Sequence, residues 1–223
     1  MTKKLFFGAI AKFLLGVILV GALIFLPAGT LSFLYGWILM GILFVPMFFA
    51  GIVMMIKNPK LLSERLNAKE KEREQSVVVK LSGLMFIAGF VIAGLGYRFG
   101  WYILPLWAVI VASVVFILAY VIYAEVLREN TYLSRTIKVQ ENQKVIDTGL
   151  YSVVRHPMYS ATLLLFLAIP LVLGSLYSFV IFLSYPFIIA KRIKNEEKLL
   201  EKELNGYTEY KQKVKYRLIP FIW

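Results

Sequence analysis

Six apolar runs, separated by charged blocks, set the limits on what this chain can fold into. They fall near residues 6–27, 35–56, 81–98, 102–124, 158–173 and 175–190. A helix rises about 1.5 Å per residue and a hydrocarbon core is roughly 30 Å thick, so about 20 apolar residues make one crossing. The first four runs reach or approach that length. The last two hold 16 residues each, about 24 Å of helix, and predict a short hairpin, with five crossings as the alternative to six. Composition agrees: 60% of the residues are hydrophobic and 17% charged, well beyond the apolar share of a water-soluble domain. The expected fold class is an all-α integral membrane protein of five to six transmembrane helices.

The basic residues orient those helices. Lysine and arginine number three in the N-terminal stretch, seven in 57–80, five in 125–157 and nine in 191–217, against Arg98 alone on the other side. Positive charge is retained in the cytoplasm, so both termini and the two long loops are expected to face it, in a multi-pass protein of the cell membrane. The 13 acidic residues fall in the same segments. Polar chemistry is therefore expected at that face. The net charge of +12 comes in short blocks instead of one stripe, which points to anionic lipid headgroups and away from nucleic acid. The basic start followed by an apolar run, without an A-x-A-like site, reads as an uncleaved first helix.

The chain has no cysteine and one histidine, His156. Disulfides, thiolate nucleophiles and an ordinary multi-histidine metal site are excluded, and no metal is expected. The stretch NPKLLSERLNAKEKEREQ, with leucines at 61, 62 and 66, suits either a helix on the membrane surface or a solvated connector. The glycines of GLGYRFG at 94–100 miss a dinucleotide fingerprint and read as a turn.

Residues 125–157 and 191–223 differ from the rest in polarity. Folding the hairpin between them brings Arg155 and His156 towards Arg192 and Glu196. Pro157 suits the first turn of the fifth helix and biases His156 to an extended conformation, at an end that favours anionic groups. Taken alone, such a histidine is as well explained as an interfacial cap. Arg192 and Glu196 stand one turn apart on one helix face, the spacing of an ordinary surface pair, but at the exit of a membrane helix, where charge is costly without a role. Glu197 and Glu201 point to other faces and are expected to be solvated.

These residues carry a resemblance. QKVIDTGLYSVVRHPMY, from Gln143 to Tyr159, with NEEKLLEKEL and GYTEYKQKVKYRLIPFIW after it, resembles the C-terminal half of the isoprenylcysteine carboxyl methyltransferase family, related to phospholipid methyltransferases. The combination of G-x-Y, R-H-P-x-Y, the paired glutamates and the Y-x-x-Y tail is more specific than any single piece. The resemblance implies an S-adenosylmethionine site lined by Gln143, Lys144, Val145, Ile146, Tyr151, His156, Pro157, Met158 and Tyr159, with Arg192 and Glu196 acting on the substrate. Gln143 stands where the family usually has histidine; an amide still donates and accepts hydrogen bonds. Asn130, Tyr132 and Arg135 are secondary candidates for the lining. Tyr151 and Tyr159 also fit an anchoring role at the membrane interface.

The resulting expectation is a single membrane domain over 1–223, with a four-helix scaffold in 1–124 and a cofactor-binding, catalytic half in 125–223, capped by a C-terminal helix on the cytoplasmic side. Its partners are the lipid bilayer and a lipid or lipidated small-molecule or peptide acceptor, methylated most simply at a carboxylate. Phospholipid N-methylation, an NADPH-dependent reductase like the membrane sterol reductases, and a non-enzymatic membrane protein or transporter are the alternatives. A transporter fits poorly with spans that contain almost no ionisable residues.

Overall fold

The computed structural model describes residues 3–67, 73–101, 103–134 and 136–223. Its elements are α1 (Lys3–Ala28), α2 (Leu34–Lys57), α3 (Pro59–Leu66), α4 (Arg73–Arg98), α5 (Leu106–Glu129), a 3₁₀ turn at Gly149–Ser152, α6 (Pro157–Val172), α7 (Leu176–Phe182), α8 (Tyr185–Glu203) and α9 (Tyr207–Lys213). Among the described residues there is no strand, only one isolated bridge between Ile103 and Ser175. Helix is the conformation that satisfies every backbone donor and acceptor within one segment, as hydrocarbon requires. Phe7, Ile18, Leu26, Ile56, Trp107, Val121 and Phe187 are between 61% and 79% exposed. Such an outer surface is stable against acyl chains and not against water.

Among the described residues, five segments are long and apolar enough to cross a membrane: α1, α2, Gln75–Arg98 of α4, α5, and Leu176–Glu203, in which α7 continues into α8; α6 is shorter, at 16 residues. The tip of the α6–α7 hairpin nevertheless reaches the far ends of its neighbours. Gly174 accepts a backbone hydrogen bond from Leu104 at 2.9 Å, next to the first turn of α5. A Cβ on Gly174, whose φ is +70°, would lie 2.8 Å from the Tyr35 ring at the start of α2. The hairpin therefore runs the depth of the bundle with a short helix because α5 continues past it at the charged end.

Small residues set the packing, as expected where lipid supplies no hydrophobic drive between helices. A Cβ on Gly94 would meet the carbonyl of Ile24 at 2.5 Å, so α1 and α4 touch backbone to backbone. Gly89 receives the Phe182 ring of α7 and accepts from the Ser178 hydroxyl through its carbonyl at 2.8 Å. Gly94 and Gly96 lie inside α4, which corrects the turn expected there; only Phe99–Gly100 turns, and Gly100 has φ +63°.

The segment after α2 is a helix in its first part. Asn58 accepts from the Leu61 amide at 3.0 Å as N-cap, and Leu61 and Leu62 are buried. Residues 68–72 of the same stretch lie outside the described residues.

Candidate active site

At the charged end, the residues following the apolar part of α8, which is polar from Lys191 onward, meet the loop before α6 and the C-terminal tail. Glu197 is the centre of one cluster. Arg155 donates from Nε to Glu197 Oε1 at 2.7 Å, His156 Nε2 lies 3.2 Å from the same oxygen, and Arg217 Nε donates to Oε2 at 2.8 Å. A carboxylate only accepts, so His156 Nε2 is the donor in this contact. Burial alone would raise the Glu197 pKa; the hydrogen bonds from His156, Arg155 and Arg217 outweigh it and hold the carboxyl well below its ordinary range. Glu197 is 3% exposed, which corrects the solvated role expected for it. Glu201 is exposed as expected, paired with Lys211.

The cluster ties the tail down. Arg155 Nη1 donates to the Val214 carbonyl at 2.6 Å, and the amides of Arg155 and His156 donate to the carbonyls of Tyr216 and Arg217, both at 2.9 Å. The Ser160 hydroxyl donates to Leu218 at 2.7 Å. The R-H-P motif thus begins α6 and clamps the end of the chain beneath it.

Glu196, one residue earlier, turns to a different neighbour. The Tyr159 hydroxyl donates to Glu196 Oε2 at 2.5 Å and accepts from Arg192 Nε at 2.9 Å. One phenol on α6 therefore fixes both polar side chains of α8. Gln75, buried at the start of α4, accepts from Arg192 Nη1 at 3.5 Å. Arg192 and Glu196 are half-buried, unlike the surface pair their spacing alone describes.

The opposite wall is the stretch from Asn130 to Tyr151. Gly149 has φ +48°, and a Cβ there would lie 2.2 Å from Glu129 Oε1. That carboxylate accepts from the Thr148 hydroxyl at 2.9 Å and the Leu150 amide at 3.2 Å, locking the 3₁₀ turn that presents Tyr151. The Tyr151 hydroxyl accepts from Asn130 Nδ2 at 3.0 Å, and its carbonyl accepts from the Tyr210 hydroxyl at 2.7 Å. Burial pushes the Tyr151 pKa up, so the phenol stays protonated. Gln143 spends its side-chain oxygen on the Gln140 amide at 2.8 Å, closing the turn of its own loop. A satellite core of Leu204, Tyr207, Tyr210 and Val214, with Val139, Val145 and Leu200 against it, joins this loop to α8 and α9.

Between these walls lies a cleft that is partly open to solvent. Gln143, Lys144, Val145, Ile146, Tyr151, His156, Met158, Tyr159, Arg192 and Glu196 all line it, as do Asn130 and Tyr132. Pro157 is buried in the first turn of α6 and is not part of the lining. Arg135 lies outside the described residues. Sequence reasoning misses Tyr207 and Tyr210, whose Y-x-x-Y spacing carries no role by itself, and Leu200 on α8 with Leu204, the residue that caps that helix. It also misses α3 as a brace. Arg65 donates to the Tyr123 hydroxyl and contacts Met158 Sδ at 3.6 Å, while Glu64 pairs with Lys138 at 2.6 Å.

Residues 104–205 match the family model described as phospholipid methyltransferase. That stretch runs from the residues before α5 to the end of α8 and contains most of the cleft lining, including Arg192 and Glu196, while Tyr207 and Tyr210 lie beyond it. The match supports a membrane methyltransferase. A 92-residue segment, 40% of this chain, is 28% identical to the Delta(14)-sterol reductase of Mus musculus, of which it covers 22%. The chain therefore spans about a fifth of the length of that curated relative.

Proposed function

We propose that the protein is an integral membrane, S-adenosylmethionine-dependent methyltransferase acting on a lipid or lipidated acceptor, most simply at the carboxylate of an isoprenylcysteine-like substrate. The observation that carries this reading is the Arg192–Tyr159–Glu196 arrangement, hydrogen-bonded through one phenol in a cleft at the end of a membrane bundle. The cleft's donor set suits a molecule with an adenosine and an amino-acid end: Asn130, Gln143 and Lys144 on one wall, and a buried Tyr207 hydroxyl without a protein partner on the other.

When bound, S-adenosylmethionine supplies a methyl group on a positively charged sulfur and leaves as a neutral thioether. Methyl transfer depends chiefly on alignment of the reacting atoms. Gln143 to Ile146, Tyr151, His156, Met158 and Tyr159 would hold the donor. Arg192 orients an anionic acceptor, its guanidinium fixed by Tyr159 so that little ordering remains to be done on binding. Glu196 balances the charge of Arg192 and favours a cationic sulfur nearby. With an amine acceptor, as in phospholipid N-methylation, Glu196 would also accept the proton released. The acceptor's acyl or prenyl chain reaches the cleft laterally from the bilayer, and the active site faces the cytoplasm.

The similarity to a sterol reductase supports a second reading, in which a reduced nicotinamide occupies the cleft. Parallel calorimetric titrations of the protein in nanodiscs with S-adenosylmethionine and NADPH separate the two. Saturable binding of the first, accompanied by a labelled lipid product that Arg192→Ala no longer forms, supports methyl transfer. Binding of NADPH alone rejects it.

A further inference from the structure

Among the described residues, three buried side-chain atoms have no hydrogen-bond partner: Gln75 Nε2, Asn195 Nδ2 and the Tyr207 hydroxyl. Of these residues, Tyr207 is the one that lines the cleft. It is 4% exposed, so bulk water does not satisfy the hydroxyl, and a buried hydroxyl is ordinarily paired.

Its placement is held firmly. Gly206, with φ +83°, turns the chain into α9, and the Tyr207 ring packs in the satellite core with Leu204, Tyr210 and Val214. Tyr210, on the same short helix with its ring centroid 5.8 Å away, offers an internal contrast. Its hydroxyl completes the fold by donating to the Tyr151 carbonyl at 2.7 Å. The Tyr207 hydroxyl completes nothing within the protein.

The charged groups acting on Tyr207 are Glu197, Glu196 and Arg155. All three are already engaged: Glu197 with Arg155, His156 and Arg217, and Glu196 with Tyr159. Burial first, then the two carboxylates, push the Tyr207 pKa up, so the phenol keeps its proton and remains a donor.

We infer that the Tyr207 hydroxyl is a ligand-binding group that donates a hydrogen bond to an acceptor atom of the molecule held in the cleft. The identity of that molecule as S-adenosylmethionine rests on the proposed function. The contact places a recognition group on α9, so the C-terminal segment takes part in binding as well as in covering the cleft. A residue that serves a ligand and not the fold has a distinctive signature: removing its hydroxyl spares the unliganded protein and weakens the complex.

The test compares wild type, Tyr207→Phe and Tyr210→Phe in nanodiscs, by thermal unfolding without ligand and by calorimetric titration with S-adenosylmethionine. Tyr207→Phe is expected to melt at or slightly above the wild-type temperature and to bind roughly tenfold more weakly, the loss of one hydrogen bond. Tyr210→Phe is expected to melt lower. Wild-type affinity in Tyr207→Phe, with the wild type binding normally, overturns this inference alone. A lowered melting temperature of unliganded Tyr207→Phe, matching Tyr210→Phe, also overturns it, because the hydroxyl would then be structural. If the wild type binds no S-adenosylmethionine, the proposed function fails and the ligand named here fails with it.

Discussion

Glu196 and Glu197 are neighbours on α8, yet Glu197 turns into a buried cluster with Arg155, His156 and Arg217, while Glu196 meets one phenol at the wall of a cleft. The two carboxylates divide the charged end of the molecule into a region whose hydrogen bonding is complete and one that is arranged around space. The first holds α6, α8 and the C-terminal tail together. The second keeps Arg192 and Glu196 in fixed positions beside an opening, an arrangement that has no evident value to the fold. A helix with residues 100° apart in direction can support both roles in consecutive positions.

The contrast is broken most severely at its buried half. Glu197→Ala leaves two arginines and a histidine beneath the tail without their shared acceptor, and removing one partner of a buried ion cluster costs about 3–5 kcal/mol. Thermal unfolding in detergent should show a large fall in melting temperature or a loss of monodisperse protein. The carboxyl also sets an acid limit. Its folded pKa lies below its ordinary value of 4.5, so its contribution is fully present above that value and is lost as pH falls through the folded value. Wild-type stability should therefore decline more steeply below pH 4.5 than that of Glu197→Gln.

The cleft half should respond in activity and not in stability. Tyr159→Phe removes the hydroxyl that aligns Arg192 and Glu196 and should leave the melting temperature within a few degrees, while methyl transfer falls roughly 10²-fold through misalignment. Arg192→Lys keeps the charge but loses the planar fork, and should raise the KM for an anionic acceptor while S-adenosylmethionine affinity is retained.

Between the two extremes stands Gly149. Alanine there must adopt φ +48° and displace the Glu129 carboxylate, costing about 1–2 kcal/mol from the left-handed backbone alone. Its effect should reach the cleft by releasing the turn that carries Tyr151, which binding measurements would register as weaker cofactor affinity. The smallest effect belongs to the exposed pair Asp147–Lys213, 2.8 Å apart. Lys213→Ala should shift neither melting temperature nor turnover measurably, and a clear loss would mean that the loop–tail contact does more than its exposure implies.

How legible all this was in the sequence depended on the range of the interactions. The membrane segments were legible because each is a local property, a run of apolar residues of sufficient length. The depth of the α6–α7 hairpin was not, because it depends on α5 overrunning α6 at the charged end and on Gly174 meeting Tyr35 and Leu104. The positions of Arg192 and Glu196 followed from helix spacing and the motif. The burial of Glu197 could not, since its partners Arg155 and Arg217 lie 42 and 20 residues away in the chain. Read locally, Glu197 is one more charge in a polar helix. GLGYRFG misled for a related reason: glycines punctuate loops in soluble chains, but in α4 Gly94 serves close helix contact with α1. Tyr207 was hidden because an unpaired hydroxyl is defined only by everything around it.

In the proposed reaction this cleft transfers a methyl group to a lipid held by Arg192. It is tested most directly by incubating the protein in nanodiscs with methyl-labelled S-adenosylmethionine and a lipid extract, then identifying labelled products by mass spectrometry. Wild-type protein is expected to give a labelled lipid or lipidated product, whose class names the acceptor, and Arg192→Ala of unchanged melting temperature is expected to give none. No labelled product from the wild type, or equal labelling by Arg192→Ala, would contradict it.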